Sequence, residues 1–200
     1  MRGTKWTFKA MAVASLGLFA CSSSDGISDG TLNFTIAEGL LVVLEADPAS
    51  GVVGPQFGSV VLSSATGNCP LLQAGYPYQL IPITAFLFLP MENLLADNDA
   101  GPLVAGTYNI IDPTSGTPLA APGLFANVFT IETDDSCNYT DAAGTGGTVS
   151  VVPMDTAVGG ASTVSYSVII SNTRITGSYA LSTCVLSLDA GAPDGGCLPL

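Results

Sequence analysis

Histidine is absent from this 200-residue chain, and cations are scarce in it. Of four Lys and Arg residues, Arg2, Lys5 and Lys9 sit in the first nine positions, and only Arg174 lies beyond them. Without His or Lys in the body of the chain, the usual general bases are missing. A Ser-His-Asp or Cys-His arrangement cannot be built, and no imidazole is available to hold zinc. Nucleic-acid binding uses Lys and Arg to neutralise phosphates and is excluded. Docking onto anionic lipid head groups is disfavoured for the same reason. No stretch reaches the roughly 20 apolar residues that span a bilayer. The longest later run, residues 80–90, is interrupted by Pro82 and Thr84. Helix signals are few and no βαβ alternation occurs, so a parallel α/β sheet is not expected.

What is present is acid and apolar residues. All 16 Asp and Glu lie beyond residue 20, so the chain after that point carries one cation against sixteen acids, −15. Scattered acids of this kind make a solvated, solubility-keeping surface. Apolar residues make up 48% and charged residues 10%, which is the composition of a folded chain. The length after the leader suffices for one domain, or at most two small ones.

The leader has a defined anatomy. Arg2, Lys5 and Lys9 form a positive n-region ahead of an uncharged, mostly apolar stretch over residues 10–20. That stretch is too short to span a bilayer but fits the roughly 7–15-residue core of a cleaved signal. Leu18-Phe19-Ala20-Cys21 resembles the lipobox of bacterial lipoproteins, with Phe19 standing where a small or β-branched residue is usual. The resemblance implies cleavage before Cys21, a thioether-linked diacylglycerol and an N-acyl chain (palmitate-type) on Cys21, and, from Ser22, sorting to the outer membrane. Two or more acyl chains hold a protein stably on a membrane. The polar run Ser22-Ser23-Ser24-Asp25-Gly26 reads as a flexible tether.

Export implies an oxidising compartment. With Cys21 given to lipid, Cys69, Cys137, Cys184 and Cys197 remain, an even number that suggests two disulfides in three possible pairings. A Cys137–Cys184 bond would tie a middle strand to a late one, and a Cys184–Cys197 bond would close a short C-terminal loop. The sequence leaves the choice open.

Strand signals recur at short intervals. Leu32, Phe34 and Ile36 alternate with polar residues, and Val42, Leu44 and Ala46 continue the pattern. Further strands are expected over residues 57–64 and 81–89, at Tyr108 and Ile110, over 124–133, at Val149 and Val151, at Val164, Tyr166, Val168 and Ile170, and over 175–188. Gly177 is a possible bulge in the last. Clusters at 47–51, 67–70, 112–116 and 142–147 read as turns, and residues 91–96 as a short helix on a loop. About nine strands separated by turn signals predict an all-β fold, an antiparallel β-sandwich. The expected organisation is a signal helix over 1–20, lipidated Cys21 and spacer over 21–30, the sandwich domain over 31–188, and a Gly/Pro/Asp-rich tail over 189–200.

Gly106-Thr107-Tyr108, Cys137, Gly147-Thr148-Val149 and Arg174-Ile175-Thr176-Gly177-Ser178-Tyr179 ahead of Cys184 follow an order that resembles uncharacterised bacterial lipoprotein domains. The resemblance covers roughly residues 100–185. It implies a tethered, disulfide-bearing β-sandwich and transfers no catalytic residue.

Carboxylates are the remaining chemistry. Asp155-Thr156-Ala157 looks like the Asp-Thr-Gly/Ala of aspartic proteases, but that chemistry needs two carboxyls sharing a proton, and no second such motif occurs. Calcium takes hard oxygen donors on loops, which makes Asp97 and Asp99, and Asp134 and Asp135, the candidate metal ligands. Neither pair fits an EF-hand, and no other cofactor is expected. Arg174 is expected to pair with a carboxylate on a neighbouring strand. The sequence therefore predicts a secreted, lipid-anchored cell-envelope protein without enzymatic activity, a structural or binding domain whose partner is an envelope protein or glycan. A calcium- or carbohydrate-dependent adhesion module is the alternative. A carboxylate-dependent hydrolase is the third, and it would need two carboxyls about 5–9.5 Å apart.

Overall fold

The structure is a computed structural model that describes residues 34–44, 54–75, 81–82, 84–96, 99–113, 115 and 122–187. The signal segment, Cys21 with its spacer, Asp97, and the tail with Cys197 lie outside the described residues. The elements run β1 (Glu38–Leu44), β2 (Phe57–Ser63), α1 (Asn68–Gln73), β3 (Ala85–Leu94), β4 (Ala100–Gly101), β5 (Gly106–Ile110), β6 (Gly123–Ala126), β7 (Phe129–Thr133), β8 (Tyr139–Val151), β9 (Ala161–Ile170) and β10 (Thr173–Leu186).

The expected sandwich is overturned: the strands close into one eight-stranded barrel. Around the ring, β1 meets β2, then come β3, β6, β5, β8, β9 and β10, and β10 returns to β1. The closing seam is parallel, Leu40 opposite Ser182 through Leu44 opposite Leu186. β5 and β6 are also parallel, and every other pair is antiparallel. Alternation shows that one face of each strand is buried, and a curled sheet satisfies it as well as a second sheet does. Closure depends on pairing residues 40–44 with residues 182–186, and no local pattern encodes that contact.

The inner face follows from the alternation. Leu41 and Val43 of β1, Leu87, Leu89 and Met91 of β3, and Val164, Tyr166, Val168 and Ile170 of β9 point inward, while Thr163 and Ser165 face solvent. An eight-stranded barrel is just wide enough for side chains to fill, and Tyr108, Leu87 and Leu89 are fully buried within it. The Tyr108 hydroxyl donates to the Val104 carbonyl at 2.6 Å and accepts from the Val104 amide at 3.3 Å, which satisfies the polar end of a buried ring.

Between β3 and β8 the wall has two fillings. Near one end β7 bridges them, with residues 85–88 opposite 129–132 and residues 139–143 opposite 129–133; near the other, β5 and β6 lie between them. The expected single strand over 124–133 is therefore two strands, broken at Asn127-Val128 where the partners change. The helix expected over 91–96 is instead the second half of β3. Pro90 sits inside that strand because its carbonyl takes the Asn127 amide at the break, where its missing N–H faces no ladder partner.

Other corrections have equally local causes. The turn expected over 142–147 is the middle of β8. Its glycines serve close approach: a register shift falls between Gly144 and Gly146, and Gly147 has φ 114° with its backbone tight against Ser167 and Val168 of β9. The expected bulge at Gly177 is absent, since β9 and β10 pair without interruption; Gly177 instead makes room for the ring of Tyr166 opposite it. Phe34 and Ile36 pack against the barrel core without forming a strand. The turn cluster at 67–70 carries the start of α1, where Pro70 is tolerated because first-turn amides have no intrahelical partner. Ser171 and Asn172 (φ 49° and 63°) join β9 to β10 by a two-residue turn, both residues in the left-handed region, which matches the right-handed twist of the flanking strands.

Candidate functional site

Outside the barrel a second apolar cluster covers the wall. Leu40 and Val42 of β1, Val61 of β2, Phe86 of β3, Ile131 of β7 and Cys184 of β10 point outward, opposite in parity to the inner set. Leu72 of α1 and Ile81 close over them, and Tyr139 and Leu186 border the patch. The cover is a helix of only six residues, too short to persist unaided. It is pinned at three points. Cys69 and Cys184 form a disulfide with Cα atoms 5.7 Å apart. The Glu38 carboxylate accepts the amides of Gly67 and Asn68 at 3.2 and 3.0 Å, and the Asn68 Nδ2 at 2.6 Å, supplying a negative charge where the first helical N–H groups lack partners. Gln73 Nε2 donates to the Val185 carbonyl at 3.1 Å.

Among the disulfide candidates, the structure thus joins Cys69 to Cys184, a pairing the sequence left open. Cys137 is also disulfide-bonded. Its position is the β7–β8 hairpin turn, where its φ of 57° puts a non-glycine residue in the left-handed region. Asp134 organises that turn. Its Oδ1 accepts the amides of Ser136 and Asn138 at 2.9 and 2.8 Å, and its Oδ2 accepts Asn138 Nδ2 at 2.8 Å. The Asn138 side chain, with the two amides, holds the Asp134 carboxyl below its usual pKa.

Of the two candidate calcium pairs, the first cannot be placed, because Asp97 lies outside the described residues, and the second sits on the β7–β8 turn. Asp134 spends both carboxylate oxygens on the turn, and Asp135 accepts from the Ser136 hydroxyl at 3.1 Å. Among the described residues no group of three or more His, Cys, Asp or Glu is placed to hold a metal ion. Asp155 starts a turn, its Oδ1 accepting the Ala157 amide at 3.0 Å and its carbonyl accepting the Thr183 hydroxyl. Arg174 donates to the Ser167 hydroxyl at 2.8 Å on neighbouring β9, so its partner is a hydroxyl and not the expected carboxylate.

Two features escaped the sequence reading. Glu92, on the outer face of β3 between Phe57 and Phe125, is half-buried, and desolvation raises its pKa. An acid inside the run Leu89-Pro90-Met91-Glu92 was the available signal. The second is a rim of exposed apolar side chains, Leu95, Val104, Val152 and Val158. Leu94 pairs with Gly123 and Gly106 with Val151, and β5 runs parallel to β6, so the first three lie at one end of the barrel. Val158 belongs to the β8–β9 connection at that same end. Exposed apolar residues gathered at one end of a fold mark an interaction surface in many proteins. No protein-family model matches the chain, and neither a curated protein nor a solved structure is significantly similar to it.

Proposed function

We propose that this chain is an exported lipoprotein, held on the cell envelope by acyl chains at Cys21, whose barrel serves as a non-enzymatic structural or binding domain. The observation that carries the reading is the junction between leader and fold. A signal core ending in Leu18-Phe19-Ala20-Cys21 is followed by a polar run, and the barrel wall starts only at Glu38. The chain from Cys21 to Phe34, where packing on the barrel core begins, would reach about 45 Å fully extended, so the domain can stand clear of a membrane while tethered to it. The barrel suits presentation: its interior is filled by its own side chains, and its exposed apolar groups gather at the end that includes Leu95, Val104 and Val152. That end is where an envelope protein or glycan partner would dock, and the acidic remainder keeps the domain soluble and off anionic lipid.

The test is metabolic labelling with radioactive palmitate in a Gram-negative host. The full chain is expected to incorporate label and to partition with membranes, and Cys21→Ala to lose both. Label retained by Cys21→Ala, or none on the parent chain, overturns the anchor.

A further inference from the structure

We infer that the free edge of β10 is a self-association site, at which a second copy of this chain adds its own β10 antiparallel to the first. The closing seam of the barrel is shorter than β10. β1 pairs with β10 only from Leu40 opposite Ser182 onward, with Gly39 close against the Ala180 carbonyl. The described residues ahead of Glu38 form no ladder with β10, and Phe34 and Ile36 turn onto the inner cluster. Residues 173–179 therefore pair with β9 on one side and with no described strand on the other. The two-residue turn makes Ile170 and Thr173 a hydrogen-bonded pair, so the bonds to β9 recur at Ile175, Gly177 and Tyr179. Thr183, of the same parity, also bonds on the β9 side, to Gly160. Arg174, Thr176 and Ser178 turn their amides and carbonyls the other way, where they have no hydrogen-bond partner among the described residues. Their side chains are exposed and no proline interrupts the segment. Such an edge is a template for another strand.

Charge selects the occupant. All 16 acids lie outside residues 156–188, where Arg174 is the sole charged side chain. Copies of so acidic a chain repel one another wherever acids face acids, and the β9–β10 ribbon is where they can meet without that repulsion. Centring the two edges on Thr176 sets Thr176 opposite its own copy and Arg174 opposite Ser178 of the second copy. The lone cation then never faces its twin. Arg174, Thr176 and Ser178 each exchange a pair of bonds across the edge, about six in all. Tyr179, more than a third exposed, falls beside Thr173 of the second copy. The contact is isologous and closes after two copies.

The exported full chain, in density-matched detergent, is compared by sedimentation equilibrium and amide exchange. An edge this small is a weak interface, so the comparison runs from about 10 μM to about 1 mM. The mass is expected to double across that range. The Thr176 and Ser178 amides are expected to slow with it, while Ile175 and Gly177 stay slow throughout. Thr176→Pro removes only an outward amide and is expected to remain monomeric with β9 still protected. A parent chain that is monomeric throughout overturns the inference. So do outward amides already slow in the monomer, which would mean that the chain covers its own edge. A dimer that survives Thr176→Pro places the contact elsewhere and overturns it too. Should Thr176→Pro unfold β10, Thr176→Lys answers instead. Like charges opposite each other are expected to keep it monomeric, and mixing it with Thr176→Asp to restore the dimer. A dimer of Thr176→Lys alone, or a mixture that stays monomeric, overturns the inference.

Discussion

The two apolar clusters lie on opposite faces of the same strands, and they are held by different means. The inner one draws on almost every strand and is enclosed by the hydrogen-bonded ring itself, which leaves few open edges on the wall. The outer one has no second sheet to cover it. Leu40, Val42 and Val61 sit on the convex side of the barrel under six residues of helix. Backbone pairing cannot hold such a cover, so a disulfide, a carboxylate at the helix start and a glutamine at its end hold it instead. Covalent and side-chain reinforcement therefore falls where secondary structure is weakest. It also reaches the closing seam, since Cys184 stands opposite Val42 on β1.

The largest expected effect comes from removing that reinforcement. The Cys69–Cys184 bond spans 115 residues of sequence, and a loop of that length stabilises by about 4–5 kcal/mol through the entropy of the unfolded chain. Cys69→Ala with Cys184→Ala should lower the denaturant midpoint accordingly. Amide exchange should quicken first in α1, while β9 stays protected until the whole barrel opens. Uniform exchange in both would break the comparison. A smaller effect separates the clusters directly. Leu87 is fully buried in the barrel, and Leu72 is the buried residue of the helical cover, at 6% exposure. Leu87→Ala should cost about 3–4 kcal/mol, because a closed barrel cannot collapse onto the cavity. Leu72→Ala should cost about 1–2 kcal/mol, near the transfer value alone, because a six-residue cover can settle. Equal losses measured by urea unfolding would show that the outer face is as rigid as the interior.

The alternation that builds the inner face was legible residue by residue, from Val164 to Ile170 and again at Tyr108 and Ile110. The outer cluster was not, because Leu40 and Val42 look like a strand buried on both faces, and nothing nearby says what covers the second face. The cover starts at residues 67–70, whose Gly, Asn and Pro are as good for a turn as for a helix start. Gly144 to Gly147 misled in the opposite sense: the residues that permit a turn also permit a strand to bend tightly against its neighbour. The candidate cysteines were visible as a set, but the Cys69–Cys184 pairing depends on a distance that only the closed barrel fixes. The apolar rim could not be read at all, since Leu95, Val104 and Val152 share an end only because β3 and β8 finish there and β5 begins there.

The smallest effect is confined to alkaline solution and contrasts two phenols on β9 and β10. Tyr166 is 5% exposed in the inner cluster, and Tyr179 stacks near it, ring centroids 6.5 Å apart, with more than a third of its surface in water. Burial, and to a lesser degree the charge of Tyr179, pushes the Tyr166 pKa up to about 12. The unfolded phenol titrates near 10. Between pH 10 and 12 the unfolded chain gives up this proton while the barrel keeps it, so the stability contributed by the neutral buried ring is intact below pH 10 and drains away as pH rises through 12. Tyrosinate absorbance should therefore show a late step near pH 12, coincident with loss of the barrel signal in circular dichroism. Tyr166→Phe should remove the late step, or leave only what the buried Tyr108 contributes, whose pKa burial also raises. A single ordinary titration of every tyrosine near pH 10, with the barrel still folded, would mean that water reaches Tyr166 past Tyr179. The inner cluster would then be open at the one place where β10 carries glycine opposite a large ring.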